Sequence, residues 1–184
     1  MTFFEANNGR ANVNYRKGGI YKANCQSCVV VHEARLRGLD ITALGYSNKK
    51  DSVQFQLGEH FEDAWINPKT GKVPSPTIIK GGDLIGKAEK QMKSVGRYHV
   101  GINYNAVEGH IITAEKTADE MLYLYDAQSG NFINIDEFRE AESFEILKVD
   151  KFLISKDVLK KNFKDCLVIF LGVKPIKYHL FLLN

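Results

Sequence analysis

From Gly96 onward the apolar residues recur with a period of two, and this alternation constrains the fold more than any other feature of the chain. It predicts strands at 98–104, 109–115 and 121–126, with a return through 144–154 and 166–173. Upstream the logic is helical. A helix is expected from about Cys25 to Arg37, with Asn24 as N-cap, Glu33 and Arg37 as an i,i+4 pair and Gly38 as the stop. Leu39 to Leu44 reads as a short strand or extended segment. Residues 45–82 read as loops around short elements, with turns at Asn67-Pro68 and Pro74/Pro76, and Leu84 to Val95 as a second helix. The first twenty residues read as an irregular lead-in, and those after about 150 as a C-terminal extension with strands. A leading helix with a trailing antiparallel sheet is an α+β arrangement. With 184 residues, 44% of them hydrophobic, the chain can bury a sizeable core as a single domain.

Charge and composition exclude several classes. A net charge of +3, spread along the chain, lacks the concentrated basic stripe of a nucleic-acid binder. The longest apolar run, Cys166 to Val173, is too short to span a bilayer. The segment Thr2 to Asn8 has neither the basic nor the apolar region of a signal peptide. Three cysteines are an odd count, which excludes a complete disulfide framework and favours a reducing compartment. None of this fixes an oligomeric state.

Two segments carry chemistry. The first is Asn24-Cys25-Gln26-Ser27-Cys28, at the start of the predicted helix. A thiol there feels the positive end of the helix dipole, which favours thiolate, and unpaired N–H groups that can stabilise an oxyanion. On position alone, two small buried hydrophobes fit as well. Cys25, Cys28 and His32 also share one helix face at zinc-ligand spacing, but no second Cys or His pair follows, so no metal site is expected.

The second segment runs from Gly109-His110 to Asp126-Ala127-Gln128. If residues 116–120 form a hairpin loop, Glu115 faces Met121 and His110 lies directly opposite Asp126, on the face that carries Ile112, Ala114, Leu122 and Leu124. A carboxylate beside a histidine fixes its tautomer and stabilises the imidazolium; an ordinary structural Asp–His bond would look the same. His99 is the rival base, without an acidic partner at hairpin distance, and Cys28 is the alternative thiol. His60 and His179 read as surface or packing residues. Taken together, Cys25, His110 and Asp126 supply a nucleophile, a base and a group that orients the base, in papain-like chain order.

The segments from Lys22 to Gly38, Gly109 to Glu115 and Tyr125 to Gly130 resemble those of the papain-fold toxin family, the glutamine deamidase domains of bacterial polymorphic toxins and phage head-associated proteins. The likeness spans about residues 8 to 150. It implies a papain-like cysteine hydrolase fold, with Cys25 as nucleophile, His110 as general base and Asp126 as orienting acid. It also implies a place near the oxyanion or substrate for Asn24 and Gln128. The expected activity is deamidation of glutamine side chains in a target protein, without metal or organic cofactor. The alternatives are a papain-like protease and a non-catalytic binding or phage-associated module. The resemblance further implies delivery to the cytoplasm of a target cell and a neutralising immunity protein.

Overall fold

The computed structural model describes residues 2–7, 10–50, 52–58 and 60–162, so the strand expected at 166–173 and His179 lie outside the described residues. Helices are α1 (Phe3–Asn7), α2 (Cys25–Leu36), α3 (Val53–Leu57), α4 (Leu84–Gln91) and α5 (Lys156–Asn162). Strands are β1 (Trp65–Ile66), β2 (Thr77–Lys80), β3 (Gly96–Asn103), β4 (Gly109–Lys116), β5 (Leu122–Asp126), β6 (Asn131–Ile133), β7 (Ser143–Lys148) and β8 (Leu153–Ile154). The chain is a mixed α+β protein. Its main sheet has the order β2-β7-β3-β4-β5-β6 with every pair antiparallel, and β1 and β8 form a separate two-stranded ribbon. Among the described residues no helix is long and apolar enough to cross a membrane.

Alternation along the strands gives the sheet two buried faces. Ile111, Tyr125 and Leu147 pack under α2, while Val100, Ile102, Ile112, Ala114, Leu124 and Phe144 face α4 and the turn at Ile135–Phe138. α2 is buried from Ser27 through Arg35. Its Val29-Val30-Val31 run is β-branched and a weak helix former, so burial rather than propensity holds it helical. The helix stops where Gly38 takes φ 94°, while the Gly38 and Leu39 N–H groups bond back to the Arg35 and Ala34 carbonyls.

Several expectations shift in detail. Residues 39–46 form neither helix nor strand, and the helix at Leu84 ends at Gln91 rather than Val95. The irregular lead-in contains α1 and three 3₁₀ turns, and Ala6 and Ala11 are fully buried. The short strands β1, β2 and β6 lie in segments read as loops or left without an element. The β4–β5 loop is also tighter than expected. Thr117 and Met121 close it through the Thr117 N–H and Oγ1, both to the Met121 carbonyl at 3.0 Å, and Glu120 adopts φ 66°. Lys116 therefore pairs with Leu122, two places from the expected register. A shift of two preserves which face each side chain takes.

One buried charge cluster pins α2 to the sheet. Glu33, 2% exposed, accepts from Arg37 Nε at 2.8 Å and from Arg97 Nε and Nη2 at 2.8 and 2.9 Å. Arg37 in turn donates to the carbonyls of Phe152 and Val149. Removing the carboxylate would leave two guanidinium groups facing each other over a buried gap. Glu33→Ala should lower stability by about 3 kcal/mol, the low end for a broken buried pair, because both arginines keep some contact with water. A urea melt checks this, and a loss under about 1 kcal/mol would show that the cluster is not a clamp.

Candidate active site

Cys25 is the first residue of α2, half-buried, with its thiol unpaired in any disulfide. His110 lies near the start of β4, opposite Ile102 of β3, and Asp126 is the last residue of β5. The last β4–β5 pair is Thr113 with Tyr125, so His110 and Asp126 stand beyond the end of that ladder. They are offset along the strands rather than directly opposite, yet the histidine ring spans the offset: His110 Nε2 lies 3.3 Å from Asp126 Oδ1. This is slightly longer than a tight charge-assisted bond. The Cys25 thiol acts on the His110 ring as well, and the two side chains line the same groove.

The electrostatics follow from this geometry. Burial disfavours a charged His110, but hydrogen bonds to Asp126 and to Cys25, with the charges behind them, push its pKa up to about 10. Burial likewise works against a charged Asp126. The bond from His110, helped by Ser129 and by the Gln128 N–H at 2.9 Å, holds its pKa below the usual carboxylate value. At neutral pH the pair is an imidazolium and a carboxylate beside the thiol.

The alternatives are placed differently. Cys28 is fully buried, and burial, reinforced by Cys25 and Asp126, raises its pKa well above that of a free thiol. His99 is 1% exposed and lies edge-on to Trp65 at 5.0 Å; neither ring nitrogen has a hydrogen-bond partner of good geometry, although the Val29 backbone acts on the ring. Burial, with Arg37 and Arg97 nearby, drops its pKa to about 3, so it stays neutral. His32 is equally buried, between Phe3 and Tyr125, and its pKa also falls to about 3, chiefly through burial. His60 is exposed, 3.2 Å from Glu62. Asn24 and Gln128 are buried, at 0% and 8% exposure. Asn24 makes no side-chain cap on α2; its Nδ2 donates to the Leu44 carbonyl at 2.9 Å instead. Among the described residues no three His, Cys, Asp or Glu side chains converge to hold a metal ion.

Cys25 and His110 open onto a groove of about 750 Å³, lined also by Gln26, Gln54, Phe61, Gly101, Asn103 and Val107. Neither Asn24 nor Gln128 lines it. Gln26, next to the thiol, is anchored by its Nε2 to the Gly58 carbonyl at 2.7 Å, and Gln54 Nε2 bonds Ser27 Oγ. Nothing in the spacing of the sequence signals Gln54 or Phe61, because they reach the site only through the fold, from α3 and the 3₁₀ turn at Phe61–Ala64. Compared with protein-family models and with curated proteins, the chain matches none.

The ion pair gives stability a pH dependence of definite sign. The folded chain binds the His110 proton more tightly, so that contribution is full below the ordinary value of 6.5 and is lost as pH rises through about 10. The Asp126 contribution is present above 3.8 and is lost as pH falls through its lower folded value. The urea midpoint of the wild type should therefore exceed that of His110→Gln most between about pH 4 and 6.5, and the gap should close toward about pH 10. A gap that stays constant with pH would contradict the ion pair.

Proposed function

We propose that this chain is a papain-like cysteine amidohydrolase that deamidates glutamine side chains of a target protein. The observation that carries the reading is the grouping of three side chains: His110 Nε2 stands 3.3 Å from Asp126 Oδ1, and the Cys25 thiol, at the first residue of α2, lines one groove with His110. The choice of a side-chain amide over a backbone amide rests on the resemblance of the segments around Cys25, His110 and Asp126 to toxin deamidases.

In this mechanism thiolate Sγ of Cys25 attacks the carboxamide carbon, and the carbonyl π electrons move onto oxygen. The positive end of the α2 dipole, at whose first residue the thiol sits, stabilises that oxyanion. The raised His110 pKa suits it to the first step, because a protonated ring can deliver a proton to the departing nitrogen. Ammonia leaves, and a thioester remains on Cys25. Neutral His110 then takes a proton from water, the resulting nucleophile attacks the thioester, and glutamate and the thiol are released. Asp126 keeps the ring oriented throughout and stabilises its charged form. The residues present need no metal or organic cofactor for these steps. In a toxin setting the enzyme acts in the cytoplasm of a target cell and is held in check by an immunity protein.

Peptide mapping by mass spectrometry after incubation with bacterial and eukaryotic lysates tests the reading. Wild-type protein should convert glutamine to glutamate at one or a few sites, and Cys25→Ala should lower the rate by at least about a thousandfold. Asp126→Asn should cost on the order of a hundredfold or more while leaving the fold intact. New Cys25-dependent chain ends without deamidation would point to a protease, and no difference between wild type and Cys25→Ala would leave only a binding module.

A further inference from the structure

The first turn of α2 has backbone donors that its own N-cap does not satisfy. Asn24 has φ −115° and ψ 28°, outside the extended geometry of a capping residue, and its side chain is turned to Leu44. Yet the start of this helix is buried, and buried N–H groups need acceptors. One end of the Gln128 carboxamide lies 2.9 Å from the Asn24 nitrogen and 2.9 Å from the Cys25 nitrogen. An NH₂ group there would set donors against two backbone donors that cannot rotate away, so the carbonyl end must occupy the position. Asn24 Oδ1 is 3.2 Å from the same atom, a longer contact that yields to the two shorter ones.

We propose that Gln128 is a positioning residue for the nucleophile: its side-chain carbonyl caps α2 from 104 residues away, through the N–H groups of Asn24 and Cys25, and locks Cys25 to the turn that carries Asp126. The inference rests on Cys25 being the nucleophile. Three further bonds make the lock rigid. The Gln128 N–H donates to Asp126 Oδ1 at 2.9 Å, so cap and orienting acid belong to one turn. Asn12 Nδ2 donates to the Gln128 backbone carbonyl at 2.9 Å and to the Tyr21 backbone carbonyl at 2.8 Å, and it sits 3.3 Å from Asn24 Oδ1. Asn12 is 4% exposed, so the lead-in, the nucleophile helix and the acid-bearing turn meet in one buried set of carboxamides. While Gln128 holds the Cys25 N–H, that amide is not available to a substrate oxygen. Gln128 therefore acts through Cys25 and does not touch substrate.

Alkylation of Cys25 by iodoacetamide, read by peptide mass mapping, tests this without a known substrate. In the wild type Cys25 should react readily at pH 6, where an ordinary thiol is almost wholly protonated. Gln128→Leu keeps the volume and removes the acceptor. Its Cys25 should react at least about tenfold more slowly at pH 6 and nearly as fast as wild type at pH 9, where any exposed thiol ionises. Buried Cys28 serves as the internal control for unfolding and should stay unreactive. An unchanged pH 6 rate in folded Gln128→Leu would overturn the proposal. If that variant does not fold, Gln128→Glu keeps both N–H bonds but adds a charge beside the thiol. It must fold and shift the alkylation profile to higher pH, and an unshifted profile overturns the proposal equally. A wild-type Cys25 no faster at pH 6 than a free thiol would instead refute the nucleophile assignment on which the inference rests.

Discussion

A helix buried along nearly its whole length cannot leave its first N–H groups to water, and the rest of this architecture follows from how that demand is met. α2 buries nine consecutive residues against the sheet. Its N-terminal donors are met by the Gln128 carboxamide, and its cap residue is tied to Leu44 and lies beside Asn12. Segments distant in sequence are thereby fixed around one thiol. An unmet pair of buried donors would cost a few kcal/mol, a large fraction of a domain's net stability. The polar cluster is therefore a condition of the fold as well as an arrangement around Cys25.

The same economy of burial sorts the histidines. His32 and His99 lie deep among aromatic rings, where burial outweighs what favours the charged form, and the cheapest state for each is the neutral one. His60 is in water. Among the described histidines only His110 combines burial that strengthens an ion pair with an acid to make that pair: its side chain is 24% exposed and that of Asp126 14%. Glu33 illustrates the opposite use of burial. Bonded to two guanidinium groups, it joins α2 to β3.

The sequence revealed α2 because capping residue type, charge pair and terminal glycine all agreed, and the helix begins at the expected Cys25. It revealed the strands of the β3–β4–β5 meander through their period of two. The register was missed because the loop turns on Glu120 at positive φ, where no Gly or Asn advertises the bend. The error was one pleat repeat in length, so within the ladder it kept each residue's face, and His110, beyond the ladder's end, still reaches Asp126 at 3.3 Å. What could not be read locally is long-range. Asn24 looks like an N-cap by residue type, yet the acceptor that caps the helix sits on the far side of the sheet's sequence, and the partner of Glu33 lies 64 residues downstream at Arg97. The short strands β1 and β2 carry too few residues to show a period at all.

The groove depends on two positions where a side chain is missing. At Gly101, in the middle of β3, an added Cβ would come within 3.2 Å of the Phe61 ring and 3.4 Å of the Glu145 side chain. At Gly109, one residue before the histidine, it would come within 3.2 Å of Asn103 Oδ1 and of the Ile102 carbonyl. Both glycines line the groove, and neither needs positive φ, so close approach is the reason for each. Phe61 can thus close over the sheet on one side while the β3–β4 hairpin stays tight on the other. The space between them ends at Cys25. Access to Cys25 is accordingly set by backbone packing in β3 and β4, and the placement of the thiol by the buried amides behind it. The division explains why neither Asn24 nor Gln128 needs to enter the groove to matter there.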